Sequence, residues 1–147
     1  MIILEGILAG LVGGIFMALV SEAFYRLGTF KSNILIIDGS FVTRFIKRRA
    51  DTINTYLFGI PVHLLTSTTF GVTYMIGTHI LKLNPRSVWI LCAYVSALWI
   101  SMLFVALPVA GQGLLGRKGS RFAWAEQLLL HIVYGSGLWL FLKTTAN

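Results

Sequence analysis

Residues 2–27 read IILEGILAGLVGGIFMALVSEAFYRL, and this stretch decides the fold class. Glu5 is its only charged side chain before Glu22. About 20 consecutive apolar residues let a helix cross a hydrocarbon core of about 30 Å. A strand would alternate in polarity and would need a closed barrel to satisfy its backbone, whereas a helix satisfies its own. Gly6, Gly10, Gly14 and Ala18 recur within the run at four-residue spacing. Helices in lipid gain little by hiding apolar surface, so close backbone approach supplies the attraction, and small residues permit it. The stretch predicts a transmembrane helix with a packing seam. It does not say whether the seam meets another helix of the chain or a neighbouring subunit.

Three more apolar runs follow, at about residues 56–81, 87–108 and 122–142. Hydrophobic residues make up 56% of the chain and charged ones 12%. Soluble domains average roughly 25% charged residues, and a chain this short has too little interior to hide the excess hydrocarbon from water. The expectation for residues 1–147 is a single integral membrane domain: an all-α, up-down bundle of four transmembrane helices.

The formal net charge of +7 is unevenly placed. Arg26, Lys31, Arg44, Lys47, Arg48 and Arg49 follow the first run, Arg117, Lys118 and Arg121 follow the third, and only Lys82, Arg86 and Lys143 remain. The positive-inside rule then predicts the first and third connections in the cytoplasm and both termini outside. Cations grouped between apolar runs suit anionic lipid headgroups rather than nucleic acid. No basic region precedes the first run, so no cleavable signal is expected. In the first connection, Asp38-Gly39-Ser40 reads as a helix cap. After it, Phe41, Val42, Phe45 and Ile46 recur at helical spacing against Arg44, Lys47, Arg48 and Arg49, which predicts a short interfacial amphipathic helix with those cations on headgroups. Asn84-Pro85 predicts a tight turn and makes the flanking helices antiparallel neighbours. The glycines of residues 111–120 predict a flexible loop.

Polar groups inside the bilayer boundary are costly and need partners. Glu22, His63, Glu126 and His131 fall at similar depth near the cytoplasmic side, a layer in which all four are able to meet. Thr66, Ser67, Thr68, Thr69 and Thr73 crowd the second run, where hydroxyls bond back to their own helix or line a polar face. His63 and His131, on helices diagonal in such a bundle, have the donor type and the depth for axial haem ligation. The other reading of the layer has these groups bonding one another, backbone or water to fix helix register. Glu126 and His131 are five apart, not the spacing of a carboxylate-bridged metal site, and no metal is expected. Cys92 alone forms no internal disulfide.

The glycine-rich first helix, His63 followed by Phe70-Gly71-Val72-Thr73-Tyr74, Leu107-Pro108-Val109-Ala110-Gly111-Gln112-Gly113, and Leu130-His131-Ile132-Val133-Tyr134-Gly135 together resemble a family of small prokaryotic four-helix integral membrane proteins, a domain of unknown function. The likeness covers most of the apolar part and not the basic stretch from Lys31 to Tyr56. It implies a four-helix bundle with histidines on its second and fourth helices, and no activity.

No phosphate loop, Ser-His-Asp arrangement or paired zinc spacing is present, so no catalysis is expected. The leading expectation is a non-catalytic accessory subunit of a larger membrane complex of respiratory, photosynthetic or oxygenase type, with lipids and other transmembrane subunits as partners and no cofactor. The alternatives are a small haem-b electron carrier using His63 and His131, and an oligomeric transporter or channel with Glu22 and the threonine-rich helix along its path. An enzyme acting on lipid through the glutamates and histidines has the least support.

Overall fold

The computed structural model describes residues 1–46 and 51–145, and it is helical throughout, with no strand among the described residues. Helix α1 (Ile2–Arg26) is the centre of the arrangement. Its glycines serve two neighbours. Gly6, Gly10 and Gly14 lie against α3 (Thr52–Ile80), touching the backbone of Gly71 and Val72 and the Ser67 residue, while Gly13 lies against Tyr134 of α6 (Ala123–Thr144). The seam is therefore filled from within the chain.

Helix α3 runs antiparallel to α1 along nearly all of it: Tyr56 reaches Glu22 at one end and Gly71 packs on Gly6 at the other. Its buried stripe, Thr55, Gly59, His63, Ser67 and Gly71, has the same four-residue period as the seam it faces. The helix starts at Thr52, earlier than expected, because the Asp51 side chain caps it by accepting from the Asn54 amide. It continues unbroken through Pro61. Thr68, Thr69, Thr73 and Thr78 donate to carbonyls one turn back.

Ile2–Arg26, Val88–Val109 and Ala123–Thr144 are long and apolar enough to cross a membrane. Four such spans were expected. Helix α3 is the longest of all, and its hydroxyls and histidines keep it below the apolarity of the other three.

Helix α4 (Val88–Ser101) follows the Asn84-Pro85 turn, where the Asn84 side chain accepts from the Arg86 amide. Helix α4 has two antiparallel neighbours, α3 across the turn and, packed more closely, α6. Val95 fills the notch at Gly135, and Trp139 Nε1 donates to Arg86 O while Arg86 Nε donates to Leu142 O, which ties the turn to the end of α6. Toward α3 the contact is through side chains: the Tyr74 and Tyr94 rings lie 5.0 Å apart, and the Tyr94 hydroxyl donates to Phe70 O. Two aromatic rings hold those backbones apart. A π-helical turn, Met102–Ala106, closed by Leu107 N–H to Met102 O, continues α4 into the short α5 (Leu107–Val109). Pro108 lacks the N–H that Phe104 O would accept and its ring crowds that carbonyl, and a widened turn relieves both.

The first connection differs most from expectation. Helix α2 (Ile34–Phe45) is capped by Asn33, whose side chain accepts from the Leu35 amide, and Asp38-Gly39-Ser40 lies inside it. Gly39 packs on the Thr55 carbonyl and Gly59 on the Leu35 carbonyl, so α2 and α3 lie backbone to backbone and antiparallel. Asp-Gly reads locally as a turn; here the missing Cβ is needed for helix packing. The far end does expose Phe41, Phe45 and Ile46. The Arg44 guanidinium lies against Gly111, and the residue is exposed. Lys47, Arg48 and Arg49 lie outside the described residues. The third connection is a chain of hydrogen-bonded turns including a 3-10 turn at Leu114–Gly116, with Gly111, Gly113 and Gly116 at positive φ.

Candidate functional site

The structure divides the expected polar layer into two tiers. In the lower tier the two glutamates clamp the turn between α1 and α2. Glu22 accepts from Arg26 on its own helix, from the Asn33 amide group and from the Tyr56 hydroxyl at 2.9 Å. Glu126, in the first turn of α6, accepts from the Lys31 and Ser32 backbone amides at 3.2 and 3.1 Å and from the Ser32 and Ser120 hydroxyls. Ser21 adds a bond from the Ile34 amide. A chain leaving α1 at Arg26 is thereby turned back and handed to α2.

The histidines sit above, where α1, α2, α3, α6 and the end of α4 converge. His63 is 3% exposed and His131 6%. Both line one cavity of about 60 Å³ with Asp38, Ser67, Tyr134 and Met102. His63 Nδ1 lies 2.9 Å from Asp38 Oδ2 and its Nε2 lies 3.0 Å from Gly14 O. His131 Nδ1 lies 2.7 Å from Gln127 O, one turn back on α6. Glu22 and Glu126 engage neither ring, because both are committed to the α1–α2 turn.

A haem does not fit. Pockets for ligands of drug size are roughly 300–1,000 Å³, far above the cavity here. Both nitrogens of His63 are also occupied, one by a backbone carbonyl that only a shift of α1 would free. Outward of the cavity, Gly6 and Gly10 lie backbone to backbone on α3, and the Tyr134 hydroxyl is spent on Ser67 O. There is no room for a path along that seam.

Asp38 is the residue sequence reasoning missed. Its signal was an acid following the apolar run Ile34–Ile37 with Asn33, a strong N-cap type, just ahead of that run. Gln127 was missed as well. It is fully buried, and neither its Oε1 nor its Nε2 has a hydrogen-bond partner. A buried amide without partners costs about 1–3 kcal/mol. Gln127→Met keeps the length and removes that penalty, so it should raise the thermal midpoint of the detergent-solubilised protein by a few degrees. An unchanged or lower midpoint would mean that Gln127 has a partner in the membrane. No protein-family profile, curated protein or solved structure matches this chain.

Proposed function

We propose that this protein is a non-catalytic accessory subunit of a larger membrane complex, crossing the bilayer four times with both termini outside. The observation that carries the reading is a groove of about 680 Å³ between α4 and α6, apolar and open to the surroundings of the bundle. Its walls present Cys92 and Ser96 one turn apart on α4, and Ser136 on α6. Small residues at that period admit the backbone of another helix, as Gly6 and Gly10 admit α3. The glycine seam of α1 is not available for a partner, so the groove is where a partner's transmembrane helix would seat.

The fourth crossing rests on α3. Its 29 residues extend about 44 Å at 1.5 Å each, and the hydroxyls of Thr68, Thr69, Thr73 and Thr78 are satisfied inside the helix, which lowers the cost of lipid. The orientation rests on charge: Arg26, Lys31 and Arg44 belong to one end of the bundle, Lys82, Arg86 and Lys143 to the other.

The test is gentle extraction from the native membrane, native electrophoresis and mass-spectrometric identification of co-migrating chains. A defined larger particle is expected, and Ser96→Phe should release this chain from it, since Ser96 is exposed on the isolated chain and its replacement leaves the fold intact. A particle containing this chain alone would overturn the reading.

A further inference from the structure

We propose that the cavity between Asp38, His63 and His131 is a buried proton-holding site, in which water joins the Asp38 carboxylate to Nε2 of His131. This goes beyond the subunit reading and does not depend on it.

The argument is a count of protons. A backbone carbonyl only accepts, so the contact of His63 Nε2 with Gly14 O places a hydrogen on Nε2. The Nδ1–Oδ2 contact of 2.9 Å then holds one proton, on the ring as imidazolium against carboxylate or on Asp38 against a neutral ring. Without it two lone pairs would face each other. The same logic fixes His131: Gln127 O at 2.7 Å requires Nδ1–H, which makes Nε2 of the neutral ring a bare lone pair. Nδ1 is folded back along α6, and Nε2 is the distal atom of a ring that lines the cavity.

A volume of about 60 Å³ has room for water, which needs roughly 10–15 Å³ of such space and two to four polar partners. Thr66, Ser67 and Tyr134 supply oxygens beside Asp38 and His131. The titratable groups facing the cavity are Asp38 from α2, His63 from α3, and His131 and Tyr134 from α6; α1 contributes Met17, and the end of α4 contributes Leu98 and Met102. The Asp38–His63 pair is net neutral wherever its one proton lies, so an added proton meets two vacant acceptors at the cavity, the second oxygen of Asp38 and His131 Nε2. Entry is by Asp38, whose side chain is 22% exposed against 4% for His63. A proton reaching Asp38 or its bound water passes to the bridging water, which gives one to Nε2; only O–H and N–H bonds are exchanged. The glycine seam closes the way outward, so the site stores a proton and does not conduct it.

Histidine-selective 15N solid-state NMR of the protein in lipid vesicles tests this, with magnetisation transferred from water. His131 should show Nδ1 protonated and Nε2 bare, and should receive polarisation from water as fast as the exposed His79 despite its burial. Asp38→Asn, which removes the carboxylate that the water bridges, should lose most of that transfer to His131 and leave His79 unchanged. No water transfer to His131 in the unmutated protein would overturn the proposal without reference to any variant. So would an Asp38→Asn protein whose His131 receives polarisation from water as fast as before.

Discussion

Gly71→Leu should leave no folded protein to recover from detergent. A Cβ at position 71 would strike Gly6 O and would lie 2.6 Å from Gly10 Cα and 2.7 Å from Gly10 N. Every one of these atoms is backbone, so no rotamer change clears the space and α1 must move away from α3. That separation also opens the contacts of Gly14 with Ser67 and the bond from His63 to Gly14 O. Overpacking where side chains are able to adjust costs about 1–3 kcal/mol. Here they are not, and in lipid no gain in apolar burial offsets the loss, so the cost exceeds about 4 kcal/mol, at the extreme of single substitutions. Gly77 is the control, with no atom within 4 Å of its would-be Cβ. Gly77→Ala should keep the thermal midpoint or raise it slightly, since alanine is favoured over glycine in a helix by about 1 kcal/mol. Size-exclusion profiles and thermal midpoints of the two variants side by side decide the matter. A monodisperse Gly71→Leu protein with an unchanged midpoint would mean that α1 and α3 do not meet as described.

That seam was half legible. The period of Gly6, Gly10 and Gly14 marked a close-packed face, and Thr55, Gly59, His63, Ser67 and Gly71 carry the same period on α3, where the hydroxyls and imidazole masked it. Matching the two stripes requires knowing which helices are neighbours, which neither stripe specifies alone. The α3–α4 pairing shows the limit from the other direction: a tight turn at Asn84-Pro85 brings two helix ends together, but Tyr74 and Tyr94 then set the distance between their backbones. Helix α2 was hidden because Asp38-Gly39 has the chemistry of a turn, and only contact with Thr55 and His63 gives those residues another use. The depth match of His63 and His131 was legible by counting residues from the charged boundaries. Their hydrogen-bond partners are carbonyls, Gly14 O and Gln127 O, which every sequence contains and none advertises.

The same absence of a signature makes Glu126 the most informative side chain to change. Half of its donors are backbone amides: Oε1 accepts from Lys31 N and Ser120 Oγ, and Oε2 from Ser32 N and Ser32 Oγ. Four donors converge on two oxygens, so both must accept. Glu126→Gln is nearly isosteric, yet it converts one oxygen into an NH2 that faces donors whichever way the amide is turned. The backbone N–H bond to that oxygen is lost, the serine hydroxyl beside it must turn to accept, and the remaining bonds become neutral, for a cost of roughly 3 kcal/mol. Glu126→Ala loses all four but brings no opposed donor, so the two variants should fall close together, against the usual ranking in which the isosteric change is mild. The consequence should be local as well as global, because Lys31 and Ser32 lead directly into Asn33, the cap of α2. Freed of Glu126, the turn becomes a substrate for trypsin at Lys31, and cleavage there should quicken in both variants well before the bundle melts. A Glu126→Gln protein as stable and as resistant to trypsin as the parent would show that one oxygen suffices and that the turn is held by Glu22, Asn33 and Ser21 instead.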